Sequence, residues 1–133
     1  MSIDYAYTQI MVDDVEAMKD FFSSVFGMRE IQRISVDFAE PVVEVMMGCG
    51  ESPTHLLVLI QVLSGPKIVH GESMLGFVTD EFDAVLERAI AHGAKVVKEV
   101  GGLADSDEIS GMTRIAIFED PEGHNCQIIE PTT

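Results

Sequence analysis

The chain has 133 residues, enough for one domain or for two small halves sharing a core, and its 47% hydrophobic content can supply that core. Its 23 acidic residues against 8 basic ones leave a formal charge of −15, which repels phosphate backbones, excludes nucleic acid as an expected partner and attracts cationic small molecules. No apolar run approaches the length of a membrane span, and Met1-Ser2-Ile3-Asp4 carries neither a basic start nor an apolar stretch, so no membrane partner and a cytoplasmic location are expected.

The pattern predicts two similar halves, residues 1–66 and 67–133. A short strand, Tyr5 to Val12, places Tyr7, Gln9 and Met11 on one face. Asp13 or Asp14 then caps a helix to Phe26, with Val15, Met18, Phe22 and Val25 at helical spacing and Gly27 just past its end. Strands follow over about Glu30 to Phe38, Val42 to Met47 and His55 to Val62, separated by Pro41 and by Gly48-Cys49-Gly50-Glu51-Ser52-Pro53. Ser64-Gly65-Pro66-Lys67 reads as the linker.

The second half repeats the plan. A strand from Ser73 to Val78 leads to Asp80 as the expected cap of a helix that carries Phe82, Val85, Leu86, Ala89 and Ile90 on one side and ends at Gly93. Ala94 to Val100 is strand-like, and Gly101 to Gly111 is a polar loop. Two final strands flank Asp120-Pro121-Glu122-Gly123-His124, in which Pro121 pre-sets φ and Gly123 accepts a positive φ. The expected fold class is therefore α+β, two tandem βαβββ modules. A sheet covered by one helix leaves its other face needing a partner, so two such sheets facing each other would enclose a cup for a ligand.

Several stretches carry a family likeness: Tyr7-Thr8-Gln9-Ile10-Met11-Val12-Asp13-Asp14, Phe21-Phe22-Ser23-Ser24-Val25-Phe26-Gly27-Met28, Gly76-Phe77-Val78-Thr79-Asp80, and Glu119-Asp120-Pro121-Glu122-Gly123-His124. In this order the chain resembles the vicinal-oxygen-chelate superfamily of glyoxalases, extradiol dioxygenases and bleomycin- or fosfomycin-resistance proteins. The resemblance implies a metal-ligand position on the first and fourth strand of each half, normally His or Gln, Glu, His and Glu. Those positions fall here on Tyr7, Val58, Met74 and Gln127, and they include no imidazole or carboxylate. The expectation is no metal and no cofactor, with a relocated site at His70 and Glu72 as the alternative.

Tyr7, Gln9, Met11, Val58, Met74 and Gln127 are the expected ligand-binding residues, because phenol and amide groups at the floor of a cup serve a small molecule better than a dry core. Glu44 interrupts Val42-Val43-Glu44-Val45 and, if it faces the cup, is with Tyr7 a candidate acid or base. His55 opens a strand, His92 lies at a helix end, and His124 belongs to the turn. Cys49 and Cys126 have no Cys-x-x-Cys spacing and read as two reduced thiols. Two functions compete: a glyoxalase-like lyase or isomerase without the usual metal, and a non-catalytic protein that sequesters a drug or metabolite. A homodimer is expected from the resemblance and from sheet edges that need cover.

Overall fold

In the computed structural model, which describes residues 7–36, 41–64, 73–103 and 111–132, the contacts divide the chain into two units, residues 1–69 and 70–133. The first unit runs β1 (Tyr7–Met11), α1 (Val15–Phe26), β2 (Arg29–Val36), β3 (Val42–Gly48) and β4 (Leu56–Val62). The second runs β5 (Met74–Val78), α2 (Phe82–Ala91), β6 (Lys95–Val100), β7 (Met112–Glu119) and β8 (Asn125–Pro131). Each unit folds into one open four-stranded sheet, ordered β1-β4-β3-β2 and β5-β8-β7-β6. The expected α+β class and the tandem βαβββ plan are present. The linker expected at residues 64–67 lies, beyond Ser64, outside the described residues.

Helix α1 begins where Asp14, in extended conformation, accepts the backbone N–H of Ala17 at 3.0 Å, satisfying one of the four orphan donors of a helix start. It ends at Gly27, whose φ of 68° lets its N–H reach back to the Ser23 carbonyl at 2.9 Å. Val15, Met18, Phe21, Phe22 and Val25 form the buried stripe. That stripe lies on β3 and β4, where Val45, Met47, Leu57 and Leu59 alternate onto the same face and are also buried. Each such side chain contributes about 1.5–3 kcal/mol on burial, so this packing orients the sheet.

Helix α2 corrects two expectations. Its N-cap is Glu81, not Asp80: the Glu81 carbonyl accepts the first helical bond, from Val85 N at 2.9 Å, and its side chain makes no cap bond. Thr79 Oγ1 instead accepts the Glu81 N–H at 2.9 Å. Ile90 is exposed, because only the narrower stripe of Phe82, Val85 and Ala89 is buried. Edge strands β2 and β6 each carry a register shift, at Ile31 and Val97, and both bulged residues are exposed. Such bulges discourage pairing along those edges.

Candidate functional site

Ladder register assigns every expected residue to a face. In the first unit, Gln61 Oε1 accepts the Val15 N–H of α1 at 3.0 Å, so Gln61, Leu59 and Leu57 look toward the helix. The alternate residues form the helix-free face. Across it, Gln9 pairs with Val58, Val58 with Met46 and Met46 with Gln32. In the next row Met11 pairs with Ile60, Ile60 with Glu44 and Glu44 with Ile34. Tyr7, Gln9, Met11, Val58 and Glu44 therefore share one face. Tyr7 and Met11 are exposed on it, Glu44 is half-buried, and Val58 is buried and forms a floor rather than an open surface.

In the second unit Arg114 of β7 reaches Asp83 of α2 at 2.9–3.0 Å, which identifies the helix side. Cys126 and Phe118 share that side and are fully buried. Gln127 points the other way, paired with Gly76 on β5 and with Ile117 on β7. Met74 lies on the same helix-free face, two residues before Gly76.

Polar side chains on the helix sides are committed to structure. Arg114 binds Asp83 and also Glu130, at 3.1–3.2 Å, with its guanidinium 4.2 Å from the centroid of the Phe82 ring. Its hydrogen bonds hold the Asp83 carboxyl below the ordinary range. Arg33 does the same for Glu16 and Glu30. The helix-free faces differ. Among the described residues, no side-chain hydrogen bond or ion pair engages Gln9, Gln32, Glu44 or Gln127. Gln32 is the member that sequence reasoning missed. Its signal was its even spacing with Ile34 in β2, which became usable only once the bulge at Ile31 set the register.

Tyr7 and Glu44 do not serve one bond. They stand two strands and two rows apart, about 16 Å by the usual strand spacing and rise. Gln32 is the diagonal neighbour of Glu44 across the β2–β3 ladder, about 7–8 Å away by the usual spacing, so the two long side chains can reach one small molecule.

The described histidines have local partners. His124 is buried, with Nδ1 2.7 Å from Asp120 Oδ2, and Asp120 Oδ1 accepts the backbone N–H groups of Glu122 and His124 at 3.0 and 2.9 Å. The Asp120 carboxylate thus ties the turn together. His92 Nδ1 lies 2.8 Å from the Arg88 carbonyl at the end of α2, and His55 Nε2 lies 3.1 Å from Thr8 Oγ1. His70 and Glu72 lie outside the described residues. Burial, and then the charge of Asp120, push the Cys126 thiol far up, so Cys126 is a core side chain and not a nucleophile.

The four positions that the resemblance marks for metal ligands hold a phenol, an isopropyl group, a thioether and an amide. This set does not fit a divalent ion that wants imidazole or carboxylate. Among the described residues, no three of His, Cys, Asp and Glu group together as a metal site elsewhere.

A sequence model described as Glyoxalase/Bleomycin resistance protein/Dioxygenase superfamily matches residues 4–128. The Arabidopsis thaliana protein named "Probable lactoylglutathione lyase, chloroplastic" is 25% identical over 122 residues, 90% of this chain and 33% of that protein. The chain thus spans a third of that relative's length. A glyoxalase family protein from Bacillus cereus superposes with a TM-score of 0.83 at 18% identity, covering 100% of this chain and 97% of that one. A mutant of the fosfomycin resistance protein FosX from Listeria monocytogenes, complexed with Mn(II), superposes at 0.68 with 15% identity, covering 99% and 95%. At such identities these two structures show a shared fold and nothing finer.

Proposed function

The chain belongs to the glyoxalase/bleomycin resistance protein/dioxygenase superfamily, and on that premise we propose that it binds a small organic molecule on the helix-free faces of its sheets and acts on it as a metal-independent, glyoxalase-like lyase or isomerase. One observation carries the reading. Gln61, Arg33, Arg114 and Asp120 are each bound to another group of the fold, whereas Gln9, Gln32, Glu44 and Gln127 present unused hydrogen-bonding groups on the opposite faces. Glu44 and Gln127 are half-buried, where a polar group without a partner is costly and a ligand that supplies one removes the cost, while Gln9 and Gln32 are exposed and can exchange water for a ligand.

In this proposal Gln32 donates its amide N–H to a substrate carbonyl, and Glu44, its diagonal neighbour, takes the proton from the adjoining hydroxyl-bearing carbon and delivers it to the former carbonyl carbon, while the hydroxyl proton passes through solvent to the former carbonyl oxygen. Tyr7, Gln9 and Met11 contact the rest of the ligand. No resident metal takes part, since the donor set at Tyr7, Val58, Met74 and Gln127 does not suit one.

The test is turnover of the glutathione–methylglyoxal adduct with and without EDTA, in wild type and Glu44→Gln. Turnover that survives EDTA and falls about 100-fold or more in the variant is expected. Loss of turnover in EDTA, or full turnover by Glu44→Gln, overturns the proposal. The charge of −15 favours a second reading, sequestration of a cationic drug without chemistry. In that case bleomycin raises the thermal midpoint of wild type and Glu44→Gln alike, and no product forms. We also propose a homodimer in the cytoplasm, supported by the unbulged outer strands β1 and β5, with sedimentation equilibrium as its check.

A further inference from the structure

Gly76 occupies the middle of the five-residue strand β5, where glycine adds backbone entropy to the unfolded chain and packs nothing. Two ordinary reasons for a glycine fail here. Its φ is not among the positive ones, so its conformation suits any residue. Among the described residues, a Cβ built on it meets no atom within 4 Å. Gly48 is the contrast, since a Cβ there would strike Pro53 at 2.6 Å. Among the described residues, the space above Gly76 is open.

The repeat shows what stands beside that space. Gln9 holds the equivalent place in β1 and pairs with Val58, while Gly76 pairs with Gln127. In one unit the amide lies on the first strand beside an aliphatic neighbour. In the other it lies on the fourth strand beside a bare one. Adjacent strands are about 4.8 Å apart, so the bare patch adjoins the Gln127 carboxamide, whose side chain has no hydrogen bond among the described residues.

We propose that Gly76 and Gln127 form a seat for a planar primary carboxamide on an apolar body. The proposal rests on the reading of the helix-free faces as the ligand surface. The Gln127 side chain offers one donor and one acceptor in a plane, and a second carboxamide matches both at once. A carboxylate would leave the amide N–H of the seat with an acceptor but its carbonyl oxygen with no donor. It would also enter the field of a chain of charge −15, with Glu119 on the same face one row away, paired with Asn125. The apolar body then lies along the following row, Val78, Ile129 and Ile115. Gly76 sets the height of the seat, since any side chain there would fill it.

Benzamide is the probe, titrated into the isotope-labelled full chain and followed by backbone amide shifts, with Gly76→Val and Gln127→Leu as variants. Wild type is expected to show shifts centred on Gly76 and Gln127, and each variant to bind roughly tenfold more weakly. Gly76→Val is expected at the same time to raise the thermal midpoint by about 4 °C, because it removes a strand glycine without a clash. Unchanged benzamide binding in Gly76→Val overturns the seat. So do an absence of shifts at these two residues and a lowered midpoint, which would mean that the chain itself uses the space. Shifts at the seat with no response to glutathione adduct or bleomycin overturn the functional reading alone, and the reverse pattern overturns the seat alone.

Discussion

Replacing Asp120 by alanine removes one fully buried carboxylate that accepts three hydrogen bonds, from Glu122 N, His124 N and His124 Nδ1. A hydrogen bond to a charged acceptor contributes about 1.5–3 kcal/mol, but three that share one carboxylate are not additive. The loss also strands donors in a buried turn, so the whole cost is about 3–5 kcal/mol. Against a total stability of about 5–15 kcal/mol this is a large share. Asp120→Asn separates the contributions. It keeps Oδ1 as acceptor for the two backbone N–H groups and disturbs only the contact with the ring, at about 1–2 kcal/mol. Urea unfolding should show an unchanged slope and a midpoint lowered by about 2 M for alanine and by less than half of that for asparagine. An alanine variant within about 1 kcal/mol of wild type would refute the reasoning, as would an asparagine variant equally damaged.

Gln61→Leu leaves the first N–H of α1 without its acceptor and should cost about 1 kcal/mol in urea unfolding, with no change in ligand binding. Thiol titration of the native chain should find Cys49 accessible and Cys126 unreactive until denaturant opens the core. Arg114→Met tests the ion pairs through pH. The folded carboxyl of Asp83 is held low by Arg114, so the stabilisation is present above the unfolded value of about 4 and fades as pH falls through the lower folded one. Thermal midpoints of wild type and Arg114→Met should differ at pH 6 in low salt, and the difference should narrow as the pH falls through the lowered Asp83 value.

Particular residues show how far sequence carried. A capped start at Asp13 or Asp14, which the structure resolves to Asp14, the left-handed Gly27 and the turn at Gly123, with φ of 96°, were legible because each answers a local rule of backbone geometry. The second helix was less so. Its first turn has Asp80 and Glu81 in succession, and which carbonyl starts the helix depends on how Phe82 docks. The exposure of Ile90 has the same origin, since helical spacing admits a wide stripe and contact with β8 selects a narrow one.

Local rules also determined by themselves that two βαβββ repeats exist and that Tyr7, Gln9 and Met11 share a face, whereas the placing of the family's metal-ligand positions on Tyr7, Val58, Met74 and Gln127 is what the resemblance implies. Only the tertiary structure decided that Glu44 lies on the helix-free face, that Gln61 is committed to α1, and that Gly76 stands beside Gln127. A strand's alternation states which residues go together, but not which way they go. A shift of one residue exchanges the two faces, and bulges at Ile31 and Val97 make such shifts in both sheets. The direction is settled when a helix buries one face, and helix packing is the part of the energy that no local pattern contains.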